Sequence, residues 1–348
     1  MTSAMLREIG EQPEAVERTI SRLAPLAGDI ARLGEGMRHV LFIARGSSDN
    51  AAVFAQYLCT IRAGRLSTLA SPSVATAYDA RVDLDGVLAV AVSQSGRTEE
   101  IVESLAWARS CGARTVAVTN DGASPLAGGA DLALVTEAGV EEAVPATKTY
   151  TTQLAALAVL GLALGPDPDR ALVALSAVPA AIDVALSTAA AAEEMAHRLT
   201  YVEGMVVSGR GYAASTALEL SLKLKEACYV TAIGLSYADL LHGPIAVVDA
   251  DTPALLAAAA EGPVLAGMTA LARQCTEVGA HVYGIGGDAD FAAACRARLP
   301  GPALPEHLAP LALIVPGQLL VEALARAKGI DPDAPRGLRK VTQTGSGA

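Results

Sequence analysis

Short apolar runs alternate with longer segments of helical spacing along most of the chain. Val87–Val92 is an unbroken run of six apolar residues, which is typical of a central parallel strand buried on both faces. Thr98–Cys111, which follows it, has the spacing of a helix. This alternation predicts an α/β fold in which helices cover a parallel sheet. The other elements predicted in the first half are strands His39–Ala44, Thr115–Thr119 and Leu132–Thr136 and helices Asn50–Arg62 and Thr147–Leu164.

The second half repeats this pattern at a nearly constant offset. Gly46 and Gly211 lie 165 positions apart, and Gly96 and Gly262 lie 166 apart. We therefore predict two copies of one α/β unit. The elements predicted in the second copy are strands Gly204–Val207, Pro253–Ala259, His281–Ile285 and Leu311–Ile314 and helices Ala213–Val230, Pro263–Glu277 and Gln318–Lys328.

The same pattern predicts how the chain is divided. The polar, amphipathic start predicts a helical lead-in, and the alanine-rich stretch between the copies predicts a helical connector. The predicted parts are a lead-in at 1–35, a first domain at 36–165, a connector at 166–198, a second domain at 199–330 and a tail at 331–348.

Composition and charge exclude several classes of protein. The net charge of −11 argues against a nucleic-acid partner. No segment resembles a signal peptide, and the apolar tracts are too short or are broken by Pro179 and Asp183, so we expect a soluble, cytoplasmic protein without a membrane partner. The five cysteines and five histidines lack metal-ligand spacing, which predicts free thiols, no metal and no cofactor.

Hydroxyl side chains follow the strand Val87–Val92. Ser93, Gln94, Ser95 and Thr98 surround Gly96 just before a predicted helix, where N–H groups and hydroxyls could hold a phosphate ester. The alternative is an ordinary capped turn. The second copy has Glu261 beside its glycine, where a phosphate would meet a carboxylate, so we expect only the first copy to bind phosphate.

A second hydroxyl-bearing loop follows the first predicted strand. Gly46, Ser47 and Ser48 stand there, and ligands of open α/β sheets gather beyond the carboxyl ends of the strands. Ser48 could therefore reach the ligand of the first loop, although it could also serve only as a helix cap.

Ionisable residues in the second half form the other candidate group. Glu219, Lys223 and Glu226 are spaced four and three apart, so they share one helix face. They could be ordinary ion pairs on an exposed face, or a glutamate base held beside a lysine.

His242 stands on a turn, where it could exchange a proton. Lys340 lies in a basic tail that is either mobile or able to form a Schiff base with a ketose. Only five of the 26 basic residues are lysine, which favours a role for the titratable amine or reflects chance.

Together these motifs resemble the sugar isomerase (SIS) family, in particular double-SIS proteins similar to the isomerase half of glutamine–fructose-6-phosphate amidotransferase. The resemblance runs from Glu8–Pro13 to the tail. It implies two tandem SIS domains, each a parallel sheet flanked by helices in a flavodoxin-like three-layer sandwich. The motifs that carry it are Gly46-Ser47-Ser48, Ser93-Gln94-Ser95-Gly96-Arg97-Thr98, Ala146-Thr147-Lys148, Leu222-Lys223-Leu224-Lys225-Glu226, His242-Gly243-Pro244 and the Lys340 tail.

The resemblance also implies a role for each candidate residue. Glu226 matches the residue that shuttles a proton between C1 and C2, Lys340 a Schiff-base lysine, and His242 a ring-opening histidine from the second subunit of a homodimer. Glu219 and Lys223 would line the site. The residues implied in binding the sugar phosphate are Gly46, Ser47, Ser48, Ser93, Gln94, Ser95, Thr98 and, through its backbone, Val144.

The resemblance implies an amino sugar 6-phosphate aldose/ketose isomerase, most directly a glucosamine-6-phosphate deaminase/isomerase. Because Met1 leads directly into the helical lead-in and the first cysteine is Cys59, we expect no glutaminase activity. A dehydratase that removes the C3 hydroxyl of N-acetylglucosamine 6-phosphate stays an alternative. So does a non-catalytic phosphosugar sensor, although the lead-in leaves no room for a DNA-binding domain. Asp239, where relatives often carry glutamate, is a departure from the family pattern.

Overall fold

The computed structural model describes residues 2–340. The chain folds into two compact units, and each is built from segments that are separate in the sequence. The first unit comprises Glu14–Glu141, Lys148–Ser176 and the segment that begins at Arg339. The second unit comprises the residues up to Pro13, Glu142–Thr147 and Ala177–Leu338. The continuous domain limits predicted from the sequence stay a prediction.

The lead-in is helical, as predicted. It contains α1 (Ala4–Gly10), α2 (Gln12–Leu23) and α3 (Ala27–Leu33), with a short 3₁₀ turn at Ala24–Leu26. Its first helix α1 belongs to the second unit, and α3 belongs to the first.

The first unit is a five-stranded parallel sheet with helices between its strands. The strand order is β2-β1-β3-β4-β5, and the central strand β3 is the apolar run identified in the sequence. The strands are β1 (His39–Ile43), β2 (Leu66–Leu69), β3 (Val87–Val92), β4 (Arg114–Thr119) and β5 (Leu132–Val135). The helices are α4 (Ser47–Arg62), α5 (Ser73–Thr76), α6 (Glu99–Ser110), α7 (Pro125–Gly129), α8 (Lys148–Ala163) and α9 (Pro168–Val173).

The longest segment of the second unit, Ala177–Leu338, begins with two helices of the predicted connector and then forms a second parallel sheet. Its strand order is β10-β9-β8-β6-β7, which is the order of the first sheet when the strands are matched in sequence. The strands are β6 (Gly204–Gly209), β7 (Thr231–Ser236), β8 (Ala254–Ala258), β9 (Val282–Gly286) and β10 (Ala297–Leu299). The helices are α10 (Val178–Leu186), α11 (Ala189–Leu199), α12 (Ala213–Cys228), α13 (Tyr237–Leu241), α14 (Leu265–Glu277), α15 (Ala289–Ala293) and α16 (Pro310–Ala327).

One predicted strand is wrong. Leu311–Ile314 lies inside α16, which continues through Pro316 to Ala327. The segment is buried on every side, so its sequence has no polar face that would reveal a helical period. Gly317 lets this helix approach α12, because a Cβ there would stand 2.3 Å from Cδ2 of Leu220.

Helix α16 is the core helix of the second unit and packs against α10, α11 and α12. Among residues 2–340 it is the one straight helix that is long and apolar enough to cross a membrane. Since 89% of its span is buried inside the protein, its apolar character is explained by its place in the core.

Candidate active site

The first serine loop connects β1 to α4. Gly46 precedes α4 with φ +60°, and its carbonyl accepts hydrogen bonds from the backbone N–H groups of Asp49 (3.0 Å) and Asn50 (3.1 Å). No atom lies within 4 Å of the position of a Cβ on Gly46, so the backbone is open to a ligand there. Ser47 and Ser48 are half-buried in the first turn of the helix, whose N–H groups have no intrahelical partner.

The second serine loop connects β3 to α6 and is held by its own hydroxyls. Ser93 Oγ accepts from the N–H of Gly96 at 3.2 Å, and Ser95 Oγ accepts from the N–H of Arg97 at 3.2 Å. Thr98 occupies the N-cap position without a capping hydrogen bond from its side chain. The alternative of an ordinary capped turn therefore does not explain the hydroxyl of Thr98, because this hydroxyl does not cap the helix.

Gly96 cannot be replaced without moving this loop. Its φ is +62°, and a Cβ would stand 2.2 Å from Oγ of Ser124 and 2.8 Å from Oγ1 of Thr119. Glycine is therefore needed both for the backbone conformation and for the close approach of the loop that follows β4.

The two serine loops lie side by side at one edge of the sheet. Strands β1 and β3 are paired from His39↔Val87 onward, so both loops leave the sheet at its carboxyl end. Arg45 in the first loop also forms an ion pair with Glu100 in the first turn of α6, with 3.2 Å between Nε and Oε2. Arg45 was not among the residues predicted from the sequence, because nothing in its spacing relates it to Glu100.

The matching edge of the second sheet carries carboxylates. A Cβ on Gly262 would stand 2.5 Å from the carboxyl carbon of Glu306, and the neighbouring Glu261 is exposed. Burial and, after it, the charge of Glu261 raise the pKa of Glu306. Two acidic side chains at this edge disfavour a phosphate there.

Glu219, Lys223 and Glu226 of α12 form a largely buried cluster. Lys223 is 1% exposed and forms ion pairs with Glu219, at 3.5 Å between Nζ and Oε1, and with Glu226 through a short hydrogen bond. The side chain of Glu219 is fully buried, whereas that of Glu226 is 22% exposed. The alternative of an exposed face with ordinary surface ion pairs is therefore wrong. Glu226 is the carboxylate of this cluster that can reach a ligand.

His242 lies elsewhere in the second unit. It ends α13, where its backbone N–H binds the carbonyl of Ala238 at 3.2 Å, and its side chain is exposed. The departure at Asp239 has a local role, because Ser236 caps α13 and donates its hydroxyl to the Asp239 carboxylate at 2.6 Å.

The segment that contains Val144 is held by the lead-in and the tail. The N–H of Val144 donates to the carbonyl of Asp333 at 2.9 Å, and the Asp333 carboxylate accepts from the N–H groups of Ala4 (2.7 Å) and Met5 (2.8 Å) in α1. Glu8 of α1 is buried and accepts from the N–H of Glu142. Glu8 and Asp333 were not predicted as supports of this segment, because both lie far from it in the sequence.

Lys340 is held in the first unit. Its Nζ lies 2.6 Å from Oε2 of Glu141, a buried carboxylate that also accepts from the backbone N–H and the hydroxyl of Thr149. Glu141 shares a surface depression of about 400 Å³ with Gln94 of the second serine loop. The remaining residues that line it are Asn120, Glu137, Gly139 and Val140. Glu141 was not among the predicted site residues, although it lies only a few residues before the Ala146-Thr147-Lys148 motif.

Residues 2–340 contain no group of histidine, cysteine and acidic side chains that could hold a metal ion. The five cysteines are free, and Cys59, Cys228 and Cys275 are buried, whereas Cys111 and Cys295 are half-buried. Burial raises the pKa of the Cys59 thiol to about 12, which keeps it protonated and unreactive.

Comparison with known proteins identifies the family. The SIS domain model matches residues 36–163. A protein from Silicibacter pomeroyi DSS-3, proposed to be a phosphosugar isomerase, has a solved structure that is 36% identical and superposes with a TM-score of 0.83, covering 95% of this chain and 100% of that one. The chain belongs to the SIS family.

Two aminotransferases extend this relationship over nearly the whole chain. The glutamine–fructose-6-phosphate aminotransferase of Pyrococcus horikoshii is 34% identical over 341 residues, which are 97% of this SIS-family chain and 57% of the length of that protein. The C-terminal domain of the glucosamine-fructose-6-phosphate aminotransferase of Francisella tularensis is 29% identical, with a TM-score of 0.88 and coverage of 96% and 99%. The chain is therefore homologous to the isomerase half of these enzymes and spans little more than half of the full-length relative.

Proposed function

We propose that this SIS-family chain isomerises amino sugar 6-phosphates, and that its most direct reaction converts glucosamine 6-phosphate into fructose 6-phosphate and ammonia. The observation that carries this proposal is the cluster on α12. Lys223 is buried between two carboxylates, and one of them, Glu226, is accessible. An accessible carboxylate fixed beside a buried ammonium is suited to take a proton from carbon and return it.

In this reaction Glu226 removes the C2 proton of the open-chain aldose and returns a proton at C1. The electron pair of the C2–H bond forms a C1–C2 double bond while the C1 carbonyl oxygen takes a proton from solvent and becomes an enol hydroxyl. Protonation at C1 and loss of an N–H proton to solvent then leave an imine at C2, and water hydrolyses that imine to the ketose and ammonia. Lys223 would stabilise the negative charge that develops on the substrate oxygen. Glu219 would keep Lys223 in place and charged.

The serine loops supply the phosphate site of the proposal. Gly46, Ser47 and Ser48 precede or open α4, and Ser93, Gln94, Ser95 and Thr98 precede α6, at one edge of one sheet. Backbone N–H groups at helix starts together with hydroxyl donors are suited to a dianion.

Three further roles complete the proposal. Lys340 would form a Schiff base with the ketose, and Val144 would contact the sugar through its backbone. The exposed imidazole of His242 would open the sugar ring in the neighbouring subunit of a homodimer. The second sheet repeats the strand order of the first, and this supports the proposal that it is a second SIS domain.

The proposal is tested by offering the purified protein glucosamine 6-phosphate, N-acetylglucosamine 6-phosphate and fructose 6-phosphate with ammonium. Ammonia, fructose 6-phosphate and ultraviolet-absorbing elimination products are measured in each case. We expect ammonia and fructose 6-phosphate in equal amounts from the first substrate and no elimination product from the second. An elimination product from the acetylated sugar would instead identify a dehydratase. Binding of all three sugars without turnover would identify a sensor.

A further inference from the structure

Lys340, the last residue that the structure describes, forms an ion pair with a buried glutamate. Lys340 lies 2.6 Å from the Glu141 carboxylate, and the exposed fractions of the two side chains are 26% and 0%. Nothing in the proposed chemistry assigns a role to Glu141. A fully buried carboxylate is costly unless it is paired, so its contact with Lys340 has to be explained.

Glu141 is held rigidly from a second side. The backbone N–H of Thr149 donates to Oε1 at 3.1 Å, and the hydroxyl of Thr149 donates to Oε2 at 2.6 Å. Thr149 lies in the first turn of α8, where the helix dipole also favours a negative charge. Thr149 therefore holds the Glu141 carboxylate through hydrogen bonds that do not involve the tail.

The backbone that leads to Glu141 is fixed to the second serine loop. Asn120 donates its side-chain amide to the carbonyl of Gly139 at 2.8 Å and accepts from the N–H of Ala138 at 2.7 Å. Its own backbone N–H donates to the carbonyl of Gln94 at 3.0 Å. Asn120 thus connects a proposed phosphate-binding residue to the loop that ends at Glu141.

We propose that Glu141 is the positioning residue for Lys340, which it holds at the edge of the depression that Gln94 also lines. This inference rests on the proposed function for the role of Lys340 itself. Glu141 touches the lysine and not the substrate, so it acts by placing the amine where a ketose bound through its phosphate would present its carbonyl.

Glu141→Gln tests the inference, because it removes the charge and keeps the size of the side chain. Glu142→Gln is the matched control, since the adjacent Glu142 side chain is 65% exposed and forms its ion pair with Arg7, away from Lys340. We expect Glu141→Gln to lower kcat by about 100-fold. The rate at which fructose 6-phosphate and cyanoborohydride form an adduct at Lys340 should fall by a similar factor. KM should stay nearly constant, because the serine loops are unchanged. Glu142→Gln should behave as the wild type.

A second readout does not depend on turnover. Reductive methylation followed by peptide mass spectrometry measures the reactivity of Lys340 relative to that of the exposed Lys225. We expect this ratio to rise several-fold in Glu141→Gln and to a smaller extent in Glu141→Asp, which shortens the side chain and keeps its charge. An unchanged ratio in both variants would overturn the positioning role. If the wild type turns over no sugar phosphate, the proposed function fails, and the reactivity ratio alone still decides whether Glu141 positions Lys340.

Discussion

Two glutamates on one helix face differ in the property that decides which can act on a substrate. Glu219 is fully buried and Glu226 is 22% exposed, while both pair with Lys223. A base has to reach the proton that it removes, so Glu226 is the residue proposed for the proton transfer. The proposed role of the buried Glu219 is electrostatic.

Glu226→Gln should therefore abolish turnover of glucosamine 6-phosphate and preserve binding. The amide keeps the size of the side chain but cannot accept a proton, so we expect kcat to fall by at least about 100-fold. In the proposed site the serine loops hold the phosphate ester, so the dissociation constant of the non-reacting glucitol 6-phosphate, measured by calorimetry, should change little. Glu277→Gln, which alters an exposed carboxylate at the end of α14, serves as the control. Turnover close to that of the wild type would remove Glu226 as the base.

Residue spacing predicted neighbours on one helix but not partners that lie far apart in the chain. The spacing of Glu219, Lys223 and Glu226 follows from helix geometry, so their contact could be foreseen, whereas their burial depends on tertiary packing. Glu141 and Lys340 lie 199 positions apart. No local period relates two such residues, and only the folded chain brings them together.

Among the elements, the loop after β3 depends on its glycine more than any other part of the proposed phosphate site. Gly96→Ala would place a Cβ 2.2 Å from Oγ of Ser124 and would strain a backbone with φ +62°. We expect the free energy of unfolding to fall by about 1–3 kcal/mol, because the loop must shift or hold an unfavourable conformation. We also expect KM for glucosamine 6-phosphate to rise at least about tenfold, since a loss of about 1.4 kcal/mol in binding has that effect.

Gly36→Ala separates the two causes. Gly36 has φ +77°, but no atom lies within 4 Å of the added Cβ, and the residue is outside both serine loops. It should lose stability through backbone strain alone, with an unchanged KM. Chemical denaturation and steady-state kinetics on both variants provide the comparison. Gly96→Ala with wild-type KM would show that this loop does not hold the phosphate.

The strands that the sequence missed are edge strands. β2, β7 and β10 lie at the ends of their sheets and are partly exposed, so they lack the apolar run of a central strand. The central strands β3, β4 and β8 were predicted to within one residue of their observed ends, because burial on both faces requires apolar residues throughout. Burial also explains why the start of α16 was predicted as a strand. A fully buried helix has no polar residues at helical spacing that would identify it.

The glycine offsets predicted two α/β units, and the structure has two parallel sheets with a common strand order. The carboxyl edges of the two sheets carry different side chains. The first sheet carries the hydroxyl-rich loops, whereas the second carries Glu261 and Glu306 at the matching edge and the ionisable cluster on α12. The discontinuous composition of the units could not be foreseen, because it depends on contacts such as those between Asp333 and the start of α1.

The exposed side chain of His242 leads to a prediction about the proposed homodimer. If each active site takes Glu226 from one subunit and His242 from the other, a heterodimer of a Glu226→Gln chain and a His242→Gln chain contains one intact site and one doubly altered site. Two affinity tags isolate this heterodimer after co-expression. We expect it to recover about half of the wild-type activity, while each homodimeric variant stays inactive or severely impaired. A heterodimer as inactive as its parents, or a wild-type protein that sediments as a monomer, would show that each site is built within one chain.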